Sequence, residues 1–265
     1  MKAIELNQYL NGLVDGLPEE TVDRVIYGDP NIEVEGIAVA WMPYVETLNA
    51  ARANKANVLV THEPTFYDHL DLDGQGLRFP EIELKKQHID SLDITIIRCH
   101  DVWDAMPEIG IPFAWGKFLG LGDPVDGKRF YNLYSVDSQA AFEFAKKVAG
   151  KTATLGQPTI GFYGDSDAEI NIVGVGTGCI SNPITLYELG ADVAISVDDV
   201  VRAWIVGEWC HDYGKPLLVV NHCVSEEPGM GSLTAYLKQI FPDIPISHIH
   251  QGCTYQSFTG TAEDG

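Results

Sequence analysis

Basic residues are scarce in this chain. Its 17 Lys and Arg stand against 38 Asp and Glu, a formal net charge of −21 over 265 residues. Phosphate backbones are bound by clustered Lys and Arg, so nucleic acid and anionic membrane are disfavoured as partners. A small anionic substrate held through a metal is compatible with the same surface. Long apolar runs are missing too: none approaches the ~18–20 residues of a membrane-spanning helix. Met1 to Gln8 lacks the basic-then-apolar pattern of a secretory signal, so the expectation is a soluble cytoplasmic protein. Cysteine is sparse. Cys99, Cys179, Cys210, Cys223 and Cys253 form no C-x-x-C pair and are odd in number, which argues against a disulfide framework or a zinc ribbon. Most of them read as buried apolar thiols. No G-x-S-x-G or Cys–His nucleophile motif stands out.

Two apparent motifs also fail on spacing. Gly174-Val-Gly176-Thr-Gly178 lacks the third glycine of the dinucleotide fingerprint at its required position, which leaves a tight turn and ranks an NAD(P)-dependent oxidoreductase far down. Asp71-Leu-Asp73-Gly74 resembles the start of a calcium loop. In register, that loop would begin at His69 and end at Pro80, where a bidentate Glu is needed.

What the sequence does contain is a series of short buried-strand patterns alternating with helical ones. Leu6, Leu10 and Leu13 recur at helical spacing before Gly16 and Pro18. Ile37 to Trp41 reads as a strand, and Pro43 opens a helix to about Ala56 with Val45, Leu48 and Ala51 on one face. Val58 to Thr61 is the next strand; the β-α-β unit implies parallel pairing with a right-handed crossover. Glu81 to Ser91 reads as a helix and Ile94 to Ile97 as a strand. Asp123-Pro-Val-Asp-Gly127 is a turn and the expected lobe boundary. Strands follow over Arg129–Val136, Asn171–Val175, Asp192–Ile195 and Leu217–Val220. Helices are expected over Gln139–Ala149, from about Pro183, over Val200–Trp209, and where Leu233, Tyr236, Leu237 and Ile240 recur. The fold class is α/β: a first lobe over 1–125, a second over 126–240, and a C-terminal strand and tail over 241–265 that returns to the first.

Three buried strands end in a histidine with a carboxylate nearby: His62-Glu63, His100 to Asp104, and His222 to Glu226. Ligands in open α/β sheets bind outside the carboxyl ends of strands. His222 and Glu226 are four apart, so one helical turn puts them on the same face. Mixed imidazole and carboxylate donors suit Zn, Mn, Fe or Co. Five or six of them exceed the needs of one tetrahedral ion and match a pair of divalent ions ~3.5–4 Å apart. A lone strand-end histidine is more often a hydrogen-bonded core residue, and a lone acid there is usually a helix cap; the coincidence of three pairs carries the reading. His248-Ile-His250 sets two imidazoles on one strand face. Such pairs occur in metal hydrolases, although an edge strand is the preferred reading.

On these residues the chain resembles the NIF-three-like family, the relatives of NGG-one-interacting factor three, often labelled GTP cyclohydrolase I type 2. Val58 to Phe66 is similar to its "THHP" segment, His100-Asp-Val-Trp-Asp104 to its "HTNLD", and Asn221-His-Cys-Val-Ser-Glu226 to its "GHYxTE". Gly174 to Gly178 and Gly190-Ala-Asp192 sit where the family has a glycine-rich strand end and a "GAD" turn. The resemblance implies a NIF-three-like fold with a dinuclear metal centre in a cleft between two α/β lobes, and a hexamer built from dimers. Carried over by position, the metal ligands are His62, Glu63, Asp104, His222 and Glu226. His100 and Asp101 stand beside them as ligand or ligand-orienting residues.

Three departures from the family pattern stand out. Glu63 replaces the second His of "THHP", Cys223 replaces a Tyr, and Ser196-Val-Asp198 replaces a "TGE". The implied activity is a metal-dependent hydrolase acting on a small molecule. The family label suggests a nucleotide such as GTP, with Arg98 and Arg202 as candidate phosphate partners. The rival expectation is a non-enzymatic metal-binding assembly or interaction protein.

Overall fold

A computed structural model describes residues 1–71, 80–179 and 181–260. Asp73 and Gly74 of the rejected calcium loop lie outside the described residues. The chain runs α1 (Ala3–Asn11), β1 (Val25–Tyr27), β2 (Ile37–Ala40), α2 (Val45–Ala53), β3 (Val58–Thr61), α3 (Glu81–Leu92), β4 (Thr95–Arg98), α4 (Asp101–Ala105) and α5 (Ile111–Leu119). It continues through β5 (Asp126–Lys128), β6 (Tyr131–Ala140), α6 (Ala141–Thr152), β7 (Gly161–Tyr163), β8 (Glu169–Gly176), α7 (Pro183–Glu188) and β9 (Val193–Val197). It closes with α8 (Glu208–Asp212), β10 (Leu217–Val220), α9 (His222–Ile240) and β11 (Ile246–His248). Packing divides it into two compact units. One is Met1–Ala114 with Glu227–Gln251; the other is Trp115–Glu226 with the segment from Gly252. Among the described residues no helix is long and apolar enough to cross a membrane.

The first unit holds a five-stranded sheet in the order β1-β4-β3-β2-β11. Strands β11, β2, β3 and β4 run parallel, and β1 pairs antiparallel with β4. Every residue of β2, β3 and β4 is buried, as expected for parallel strands covered on both faces. One core cluster joins Ala38, Ala40, Leu59 and Ile96 of the sheet to Leu48 and Ala51 of α2 and Ile89 of α3. Helix α2 starts two residues later than Pro43 suggested. Val45, at its first position, is 48% exposed, and the buried face is Thr47, Leu48 and Ala51. Strand β11 is the edge of this sheet, and His250 lies beyond its last residue.

The second unit holds a six-stranded sheet in the order β5-β6-β8-β9-β10-β7. Its β8, β9 and β10 are parallel, while β6 and β7 pair antiparallel to their neighbours. Val173, Val175, Val193, Ile195, Val197, Leu218 and Val220 form its core with Phe144 and Val148 of α6. The stretch expected as a helix over Val200–Trp209 opens instead as a π turn over Ala203–Gly207 before α8. Helix α9 begins where β10 ends. Its first amide, on His222, donates to Asp198 Oδ1 at 3.0 Å, so a carboxylate meets the positive end of the helix dipole. The Ser196-Val-Asp198 segment that departs from the family pattern therefore caps the helix carrying His222.

Candidate metal centre

In the first unit the parallel strands deliver their carboxyl ends to one edge of the sheet. His62 follows β3 directly, and His100 stands two residues past β4 at the start of α4. Helix α4 then brings Asp104 back one turn below His100. His62 is fully buried, and Glu63 and Asp104 are nearly so. The His62 and His100 rings stack with centroids 4.5 Å apart. His62 Nε2 lies 3.7 Å from Asp104 Oδ1, and His100 Nδ1 lies 3.9 Å from Asp104 Oδ2. A ligand atom from each of His62, His100 and Asp104 lies within 4.8 Å of the other two.

Neighbours orient these rings. His62 Nδ1 faces the Cys99 carbonyl at 3.4 Å, an acceptor that favours the proton on Nδ1 and a lone pair on Nε2. His100 Nδ1 is 2.9 Å from Asp101 Oδ1, and Thr21 Oγ1 donates to Asp101 Oδ2 at 2.8 Å. The His100 bond, more than that of Thr21, holds the Asp101 carboxyl down to about 2 against the opposing effect of burial. Asp101 is thus ionised at neutral pH and positions His100.

Glu63 has a carboxylate oxygen within 4.8 Å of a ring nitrogen of His62, and its Oε2 lies 3.6 Å from Arg98 Nη2. Arg98 is fully buried. It donates to the carbonyl of His62 at 2.9 Å and to that of His69, and approaches Asp71 at 4.0 Å. Arg98, a candidate for a substrate phosphate, instead has its guanidinium turned inward, where it braces the strand end. Arg202 is exposed before the π turn.

The second unit builds its donors on the start of α9. His222 Nε2 lies 3.0 Å from Glu226 Oε1, the contact that an i,i+4 spacing on a helix provides. His222 Nδ1 is 2.8 Å from Asp199 Oδ2 and 3.7 Å from Cys179 Sγ. Cys179, Asp199 and His222 have ligand atoms within 4.8 Å of one another. Burial opposes charging the His222 ring, but the carboxylates of Glu226 and Asp199 outweigh it and hold the imidazolium far above the ordinary histidine range. The site favours a cation at this point. Gly178, at φ +67°, keeps it open: a Cβ there would lie 3.0 Å from Glu226 Oε1 and 3.8 Å from His222 Nε2.

Both donor sets fit a divalent transition ion in chemistry. Donors ~2.1 Å from one ion stand roughly 3.0–3.5 Å apart, and the separations of 3.7 Å and 3.0 Å lie close to that range. Cys179 and Asp199 were missed in the sequence reading. Asp199 follows a fully buried strand, β9, so the strand-end rule that found His62 could also have found it. Cys179 carries no such signal. His248 and His250 lie against Glu227 within the first unit.

A two-sheet α/β protein with groups of imidazole and carboxylate that can hold metal ions is the class these features define. The chain belongs to the Duf34/NIF3 (NGG1p interacting factor 3) family, whose model matches residues 1–252. It is 35% identical over 239 residues to the "GTP cyclohydrolase 1 type 2 homolog" of Chlamydia pneumoniae, covering 81% of this chain and 84% of that one. Its fold is that of Staphylococcus aureus protein SA1388, with a TM-score of 0.82, 18% identity and coverage of 98% and 99% of the two chains. TTHA1606 from Thermus thermophilus matches with a TM-score of 0.72, 19% identity and coverage of 96% and 100%. Reduced HcgD from Methanocaldococcus jannaschii matches with a TM-score of 0.71, 18% identity and coverage of 94% and 97%.

Proposed function

We propose that this Duf34/NIF3 protein is a hydrolase dependent on a dinuclear metal centre and acts on a small, nucleotide-like substrate. The residues proposed as its ligands are His62, Glu63, Asp104, His222 and Glu226. The ions are divalent Zn, Mn, Fe or Co. The observation that carries this reading is the pair of donor groups, in each of which an imidazole stands beside a buried carboxylate. The name of the Chlamydia pneumoniae relative supports the substrate class.

When bound, the ions supply Lewis acidity and a water of lowered pKa. The chain's own residues set the conditions for that chemistry. Asp101 and the Cys99 carbonyl fix the tautomers of His100 and His62. Asp199 orients His222 through Nδ1. Arg98 and the capping Asp198 hold the two backbone segments that bear the histidines. The proposed assembly is a homohexamer, which light scattering of the purified chain measures directly.

One observation favours a second reading, a metal-binding assembly without turnover. Arg98, the cation in contact with the first donor group, is buried and already paired, so it is not presented to a phosphate. A turnover screen over nucleotides and phosphoesters, with Mn, Zn or Fe added, separates the two. In the hydrolase reading His222→Ala abolishes turnover and leaves the assembly mass unchanged. Disassembly of that variant, with no turnover by the parent on any substrate, supports the structural reading.

A further inference from the structure

Glu227 follows the proposed ligand Glu226 on α9, but its side chain belongs to a different cluster. Glu227 is 1% exposed. His248 Nε2 lies 2.9 Å from its Oε1, and His250 Nδ1 lies 2.6 Å from the same oxygen. The backbone N–H of Gln251 also donates to Oε1, at 3.1 Å. Glu227 Oε2 is buried and has no hydrogen-bond partner among the described residues. Nor, among those residues, does any Lys or Arg pair with Glu227. The two rings stand edge to face with centroids 5.5 Å apart, and the three residues' ligand atoms lie within 4.8 Å of one another.

A buried carboxylate without a guanidinium or ammonium partner calls for another source of positive charge. Two imidazoles and one carboxylate form a donor set for a divalent transition ion, with further coordination positions left open. His250 is 61% exposed on its side-chain surface, so an ion can reach the group from the His250 side. Donors ~2.1 Å from an ion spread to roughly 3.0–3.4 Å apart. His250 would therefore swing outward by about half an ångström, which an exposed ring beyond a strand end can do.

The place in the fold suits a metal clip. His248 ends the edge strand β11, which runs parallel to β2, so the cluster lies at the same carboxyl edge of the sheet as His62. Two strand spacings separate β11 from β3, or ~10 Å, too far for the clusters to share one ion. Past His250, the Gln251 side chain accepts from Met42 N at 2.7 Å and donates to Met42 O and Thr47 Oγ1 at 2.9 and 2.8 Å. An ion on Glu227, His248 and His250 would thus tie the edge strand and its following turn to α9.

We propose that Glu227, His248 and His250 form an additional divalent-metal site that fastens β11 to α9, independent of the donor groups at His62 and His222. The experiment uses the full chain, stripped with chelator and titrated with Co(II) or Zn(II). Bound metal is counted by calorimetry and elemental analysis, and Co(II) coordination is read from its visible spectrum. The double variant His248→Asn/His250→Asn binds about one ion fewer per chain than the parent and loses part of the parent's zinc-induced rise in Tm. His222→Ala, in contrast, retains the Co(II) spectrum of this site. The single variant His250→Asn changes an exposed side chain and keeps the metal-free Tm, while weakening one class of site at least tenfold. Equal stoichiometry in the parent and double variant, or unchanged affinities in His250→Asn, overturns the proposal and leaves Glu227 as a hydrogen-bonded anchor for two imidazoles.

Discussion

The two donor groups reach similar chemistry by different construction. In the first unit, His62 and His100 stand on separate strand ends, and their contacts with Asp104 are 3.7 and 3.9 Å. Polar neighbours brace them from behind: the buried Arg98 on the His62 carbonyl, the buried Cys99 carbonyl on the His62 ring, and the half-buried Asp101 on His100. In the second unit, His222 and Glu226 share one helical turn, and the ring contacts carboxylates at 2.8 and 3.0 Å. The first group is spaced by the scaffold; the second is drawn together by the charges of its own members. Spacing by a scaffold makes geometry depend on distant bracing, whereas a helical turn makes it depend on local charge and on room beside the turn.

Breaking the brace gives the largest expected effect. Arg98→Met leaves the carboxylates of Glu63 and Asp71 without their buried cation, at a cost of about 3–5 kcal/mol. Urea unfolding followed by far-ultraviolet circular dichroism measures it, and a loss under about 1 kcal/mol would remove the bracing role. Next is Asp101→Asn, which takes the anionic acceptor from His100. Metal affinity should fall roughly 10–100-fold at the first group with the second unchanged, as read by competition with a chromophoric chelator. A uniform fall at both would contradict the separation of the two constructions.

Gly178→Ala probes the second group in the same way. The residue sits at φ +67°, so an alanine costs about 1–2 kcal/mol. Its Cβ also presses on Glu226 Oε1, so metal affinity should drop at the second group alone. The smallest effect is confined to the first unit. Lys85 donates to the Thr65 carbonyl at 2.7 Å, and burial pushes its ammonium down to about 8 from its ordinary 10.5. Between those values the unfolded chain binds more protons than the folded one, so stability rises with pH from about 8 toward 10.5. Thermal melts across that window should show the rise in the parent and lose it in Lys85→Met.

The parallel β2–β3–β4 core was legible in the sequence because strands buried on both faces read as unbroken apolar runs. The spacing of His222 and Glu226 was legible as a helical turn because four-residue spacing has one geometric meaning on a helix. The division into units was not marked locally: the packing limits at Ala114 and Glu226 fall inside α5 and α9. Periodicity alone places Val45 on the buried face and does not register that the first residue of α2 faces solvent. Asp199, Cys179 and Glu227 gained their roles from pairings of residues 20 to 43 positions apart. Spacing rules do not reach that far, and a carboxylate in an acidic chain carries little signal of its own.

The most direct test of the central claim is anomalous scattering from crystals of the full chain grown with Zn or Mn, with data collected on both sides of the metal edge. The account predicts anomalous peaks within bonding distance, ~2.0–2.2 Å, of ring nitrogens of His62 and of His222. Crystals with strong metal peaks elsewhere and none at either histidine would contradict it.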